Sequence, residues 1–246
     1  MTHRLRAPLA AAALLAAGGG AVAQDITLSL GSSESLTGVT IQLMVLVGLL
    51  GLAPGLIIMA TCFPFIVTVL SILRQAIGLQ QSPPNMLIVT IALVLTYYVM
   101  DPVFVEAWAS GLKPLIDNDI DSVTALARIA EPFRAFMAAR VDPDTLMRMA
   151  DLRLLEADAT APPADMPLSV LVPSFLLSEI ATAFQVGFLI FLPFLIIDLV
   201  VAAILMSMGM MMVPPAIVSL PFKLAFFAIA NGWTLISEAL VRGYLQ

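Results

Sequence analysis

Residues 168–213 run for 46 positions with two charges, Glu179 and Asp198. As one continuous helix this stretch would extend roughly 70 Å, more than twice a hydrocarbon core of about 30 Å. Pro173 and Pro193 lie inside it, so the pattern predicts a broken helix rather than one simple span. A second block, Val39–Leu79, poses the same problem, with Arg74 as its only charge and with Pro54 and Pro64 dividing it. About forty helical residues there would reach roughly 60 Å. Such blocks predict an integral membrane protein. The composition agrees: only 11% of the 246 residues are charged and mean hydropathy is +1.03, against about 25% charged in soluble domains.

Between the blocks, Gly78–Asn85 (GLQQSPPN) has turn chemistry. A span is expected from Met86 to about Val105, carrying Tyr97 and Tyr98. Asp101-Pro102 marks its far end and Trp108 suits an interface. The last span is expected over Ala216–Leu240, with Lys223 near its start and Trp233 and Glu238 near its end. The fold class predicted is an all-α membrane protein. It comprises a signal peptide, about four long proline-broken apolar helices arranged as hairpins, and a small helical extracytoplasmic subdomain.

The chain opens MTHRLRAPLAAAALLAAGGGAVAQ. Arg4 and Arg6 form a positive n-region, Ala7–Ala17 a short apolar core, and Ala21-Val22-Ala23 a small-residue cleavage site. Residues 1–23 are therefore expected to be a signal peptide, and its removal leaves a net charge of −8 in place of −6. Residues 24–38 follow as an exposed lead-in, residues 39–109 as a first helical hairpin, and residues 168–246 as a second.

Residues 110–167 form the polar subdomain and linker, with six basic and ten acidic side chains up to Met166. Asp121 or Ser122 suits the cap of a helix carrying Leu126, Ile129, Phe133, Phe136 and Met137. Asp142 suits the cap of a second helix, with Pro143 at its first position and Leu146, Met149, Leu152 and Leu155 inward. The apolar positions are too few for a separate core, so the subdomain should pack on its neighbours. Its charges read most simply as a solvated face.

The sequence excludes much. The acidic balance argues against nucleic acid as a partner. The sole histidine, His3, lies in the leader, and the sole cysteine, Cys62, lies in an apolar run. No catalytic triad, metal cluster or phosphate-binding loop is legible, and no cofactor is expected.

Residues 206–215 (MSMGMMMVPP) hold five methionines, Met206, Met208, Met210, Met211 and Met212, around Gly209, and close on Pro214-Pro215. A helix cannot run comfortably through Gly209 and the proline pair, so this is a turn between two apolar helices. Thioethers are flexible and polarizable; they suit either padding in a core turn or a deformable seal in a pore. Asp198 precedes Met210 by 12 residues and Lys223 follows it by 13. A fold-back at the turn brings the two charges to similar depth, which predicts an ion pair. Glu179 has no evident partner in the chain; Arg74 or a residue of another subunit would serve.

The run TAFQVGFLIFLPFLIIDLVVAAILMSMGMMMVPP, with SLPFKLAFF and NGW after it, closely resembles the FliP family of flagellar type III export-gate proteins. ILRQAIG, SPPN, FRAFM and SEIATAFQ extend the resemblance over nearly the whole chain from Val39. The resemblance implies a ring of five copies with four FliQ and one FliR, set among other export-apparatus proteins of the flagellar basal body in the inner membrane. Unfolded flagellar subunits pass through that pore. It also implies that the complex is lifted largely out of the bilayer plane, so that apolar helices face partner subunits. Met210, Met211 and Met212 match the family's pore gasket, with Met206 and Met208 extending the run. Asp198 and Lys223 match its buried ion pair. Glu179, Phe133, Phe136 and Arg74 fall at positions tied to subunit or pore contacts. Where members often carry a basic residue, this chain has Phe65 and Ala181.

Two other classes fit parts of the sequence. A virulence injectisome has related export subunits. A secondary transporter or proton channel would use Glu179 and Asp198. The scarcity of polar residues within the apolar blocks favours the export gate. N-terminal sequencing of the membrane-inserted protein is expected to read from Gln24; an intact Met1 would overturn the leader.

Overall fold

The computed structural model describes residues 60–79, 83–153 and 162–245. Within 40–59 it describes 40, 41, 43, 44, 47, 48, 51, 55 and 57–59, all helical. The signal peptide, the lead-in, Pro54 and Leu155 lie outside the described residues. The chain divides into two units, 1–49 and 50–246, and the following concerns the second.

Every element among the described residues is helical. After a break at Ala60–Cys62, α1 spans Phe63–Ile77. Thr61 shapes the break: its hydroxyl donates to the Ile58 carbonyl at 2.8 Å. Pro64 follows in the first turn of α1, where its missing N–H costs nothing. Helix α2 spans Asn85–Ala107 and continues through a π-helical turn, Trp108–Leu112, into the short α3, Lys113–Ile116. Asp101-Pro102 was expected to end this span, but the helix passes through it. One proline removes a single hydrogen bond, and the turns on either side hold the axis.

The polar subdomain is α4, Ser122–Arg140, and α5, Pro143–Leu152. Asp121 caps α4 by accepting from the Val123 and Thr124 N–H groups, and Asp142 caps α5 by accepting from Thr145 N–H at 2.8 Å. Hydrogen bonds, first from the threonine hydroxyls of Thr124 and Thr145 and then from backbone N–H, hold both carboxyls below the usual carboxylate range. These caps therefore support the subdomain above that range, and the support is lost as pH falls through the lowered values. Met137, Val141, Leu146 and Ala150 pack against Met166, Val170, Leu171 and Phe175. The subdomain thus shares its core with the start of the next helix. Leu126 and Leu152, expected inward, are exposed.

Helix α6, Leu168–Ser207, is one continuous helix of 40 residues with Pro173 and Pro193 inside it. This corrects the expected breaks. It is about 60 Å long, and long flanking runs of apolar helix keep each proline from becoming more than a local loss. Helix α1 lies along it, burying Ile66, Val69, Leu70 and Leu73. Gly187 permits the close approach, because a Cβ there would collide with Ile72.

After the methionine turn come α7, Pro215–Ile229, and α8, Gly232–Leu245, bent by 61° at Ala230–Asn231. One unbroken span was expected here. Asn231 adopts φ of 50°, and the Asn-Gly dipeptide is a turn signal that could have located the bend. By length and composition, Asn85–Ile116 and Leu168–Ser207 can each cross a membrane, and the bent α7–α8 pair makes a third span if taken as one.

A Cβ on Gly232 would overlap the Phe227 ring, itself packed edge-on to Trp233. Gly232→Val is expected to destabilise the folded chain by about 1–3 kcal/mol, seen as a lower unfolding midpoint in detergent; an unchanged midpoint would show that the bend repacks freely.

Candidate functional site

The turn between α6 and α7 is built from main-chain hydrogen bonds. Gly209 adopts φ of +77°, a left-handed conformation that glycine reaches without strain. Its N–H donates to the Met206 carbonyl at 3.1 Å, and Met210 N–H donates to the Leu205 carbonyl at 3.0 Å. That pair of bonds is a Schellman cap, which closes the helix end by satisfying its free carbonyls. Pro214 and Pro215 then start α7, with Pro215 at the first helical position. No side chain is needed to hold this turn. Its methionines are accordingly free: Met211 is 84% exposed and Met212 98%. Met206 and Met208 are also exposed, and Met210 least so. All five line the outside of the protomer, so the padding reading fails for the single chain.

Below the turn, Lys223 Nζ lies 2.6 Å from Asp198 Oδ2. The hydroxyl of Ser219, one helical turn before Lys223, donates to Asp198 Oδ1 at 2.5 Å. The ammonium also donates to the Ala76 carbonyl at 3.1 Å, in the last turn of α1. Lys223 is 5% exposed, whereas the Asp198 side chain keeps 32%. The cation therefore sits at the carbonyl-rich end of α1, where the helix dipole favours positive charge, and faces a carboxylate on its other side. Sequence reasoning brought Asp198 and Lys223 together but missed Ser219 and Ala76. The only available signal was the position of Ser219, four residues before the lysine.

A second polar cluster lies nearer the start of α6. Glu179 is 2% exposed. Arg140 Nε donates to its Oε1 at 3.1 Å, and the Tyr244 hydroxyl donates to its Oε2. The Arg140 guanidinium lies 3.8 Å over the Tyr244 ring, and its Nη1 donates to the Gly243 carbonyl at 3.0 Å. Glu179 therefore has partners in the chain, which the sequence reading did not find, and Arg74 is not one of them. The reason is distance along the chain: Arg140 closes α4 and Tyr244 nearly closes α8, so no local spacing links them to Glu179. The cluster ties the subdomain, α6 and the C-terminal helix together.

Phe136 packs between Phe175 and Tyr244, with ring centroids 5.9 and 6.1 Å away, and Phe133 lies 5.9 Å from Phe104. In the protomer both rings serve the chain's own packing. Arg74 is half-buried at the end of α1 and donates to Asn85 Oδ1 across the turn into α2. Phe65 is buried with its edge against the Tyr244 ring at 5.5 Å.

Among the described residues no group of histidine, cysteine or acidic side chains converges to hold a metal. The outer faces of α2, α6 and α7 are instead strongly apolar. Tyr97, Tyr98, Phe184, Phe188, Ile217 and Ile229 are each at least 60% exposed.

Exchanging Asp198 and Lys223 tests whether the pair is defined by charge alone. Each single replacement by Ala is expected to cost about 2 kcal/mol, less than for a fully buried pair because Asp198 retains solvent. The double exchange, Asp198→Lys with Lys223→Asp, is expected not to recover it, because it would set a carboxylate against the Ala76 carbonyl. Recovery of complex yield in the exchanged variant would show that α1 plays no part.

A model of the FliP family matches residues 46–240. The flagellar biosynthetic protein FliP of Caulobacter vibrioides is 46% identical over 225 residues, covering 91% of this chain and 84% of that protein. The protein of the same name from Agrobacterium fabrum is 44% identical over 236 residues, 95% of this chain and 96% of its own. That of Bacillus subtilis is 43% identical over 209 residues, 83% and 92%.

Proposed function

The chain belongs to the FliP family, and from that premise we propose that it is a pore-forming core subunit of the flagellar type III export gate. In this reading unfolded flagellar subunits cross the inner membrane through a ring of several copies, five by family resemblance, completed by FliQ and FliR. The observation that carries the reading is the methionine turn. Five thioethers project from a main-chain-locked turn, over an ion pair that braces it against α1.

Other features support it. The outer faces of α2, α6 and α7 expose many large apolar side chains, as protein- and membrane-contact surfaces do. The 40-residue α6 is longer than a bilayer needs. Both suit a protomer whose neighbours are other protein chains as well as lipid. The relatives named above are flagellar biosynthetic proteins, which favours the flagellar over the injectisome branch.

The transporter reading needs Glu179 and Asp198 free to take up protons or ions. Each is instead held by an in-chain cation and a hydroxyl group. Such groups look structural, and the methionine turn has no part in that mechanism.

In the gate, the methionines of adjacent copies would meet around the pore axis. Thioethers can repack around a passing chain and close again because they have no single preferred packing. Replacing Met210, Met211 and Met212 together with Ala is expected to leave assembly intact and raise small-ion leakage several-fold in cells expressing the gate. Unchanged permeability would sink the seal.

A further inference from the structure

The described thioethers range from fully buried to fully exposed. Met100, Met137 and Met166 are buried in helix packing, none more than 5% exposed. The turn lies at the other end, with Met206, Met208, Met211 and Met212 all above 60%. Met44, Met59 and Met86 are exposed as well, but they are scattered singly along the chain rather than clustered. The sole thiol, Cys62, is fully buried. Among the described residues, five of the eight exposed methionines therefore lie in one seven-residue segment.

We infer that the Met206–Met212 turn is a site of reversible methionine oxidation whose sulfoxides loosen the seal. The oxidant is a hydroperoxide. Its O–O bond breaks and one oxygen is transferred to a methionine Sδ, forming the S–O bond of a sulfoxide. The sulfur is oxidised by two electrons and the hydroperoxide is reduced to water or an alcohol. Susceptibility follows exposure, and a methionine sulfoxide reductase reverses the step.

Two features make the segment a switch rather than a lesion. The turn is held by main-chain bonds from Gly209 and Met210, so oxygen on the side chains breaks none of its supports. A Cβ added at Gly209 meets nothing within 4 Å, so the segment is not packed against its own chain and has room for the added atoms. Each sulfoxide, however, is a strong hydrogen-bond acceptor where an apolar group stood. Up to five per chain, multiplied by the copies around an axis, would hold water across a constriction that thioethers keep dry. This permeability consequence rests on the seal reading above; the chemistry at sulfur does not.

The test uses the full chain, co-expressed with its gate partners and reconstituted in vesicles, with hydrogen peroxide as probe. Peptide mass mapping is expected to find sulfoxide at Met211 and Met212 roughly tenfold sooner than at Met100. Ion flux should rise several-fold and return to baseline with methionine sulfoxide reductase. A variant with all five turn methionines replaced by Leu should stay tight through the same treatment. Met211→Leu with Met212→Leu serves where the fivefold variant does not assemble. A turn left unoxidised while Met86 reacts would overturn the site. Sulfoxides on the turn with unchanged flux, in a gate that leaks when Met210–Met212 become Ala, would overturn the switch and leave the seal standing. If neither treatment leaks, the switch falls together with the seal, and the mass map alone decides the site.

Discussion

One ammonium group organises the second half of the fold. Lys223 belongs to α7, pairs with Asp198 of α6 and donates to a carbonyl at the end of α1. A charge removed from water needs every available partner, and here the partners come from two other helices. The ammonium therefore fixes where α7 returns along α6 after the turn, and where α1 stops against both. Ser219 completes the arrangement by occupying the second carboxylate oxygen. The bonds within the methionine turn set its local shape, but its position relative to the helices is set by this group beneath it.

Helix α6 carries a second anchorage at Glu179, nineteen residues before Asp198 and so about 28 Å away along the axis. Here the directions are reversed. A buried carboxylate on α6 collects a guanidinium from the subdomain and a phenol from the last turn of α8. The two clusters use opposite charges as their buried hubs and share only α6. Because α6 does not break at Pro173 or Pro193, they lie on one rigid element. The subdomain and the turn are thus held at a set separation rather than by a flexible link.

What could be seen beforehand follows from the range of each interaction. The helical subdomain, its Asp121 and Asp142 caps and the turn at Gly209 depend on residues a few positions apart, and they are visible in sequence. The spacing of Asp198 and Lys223 about the turn is visible for the same reason. The Ala76 carbonyl is not, because a backbone group carries no residue signature. Nor is the Arg140–Glu179–Tyr244 cluster, whose members are brought together only by the packing of three helices. The prolines misled in the opposite sense: local chemistry predicts breaks at Pro102, Pro173 and Pro193, yet long apolar runs on both sides keep those helices continuous. The bend at Asn231-Gly232 did have a local signal, obscured by the hydropathy around it.

The Schellman-capped turn has a consequence for how such a sequence can vary. Its geometry asks only for a glycine at 209 and prolines at 214 and 215. No bond within it uses the side chains at 206, 208, 210, 211 or 212. Drift at those five positions would be invisible to folding. Any requirement for thioethers there would have to come from whatever meets them from outside the protomer, and not from the fold.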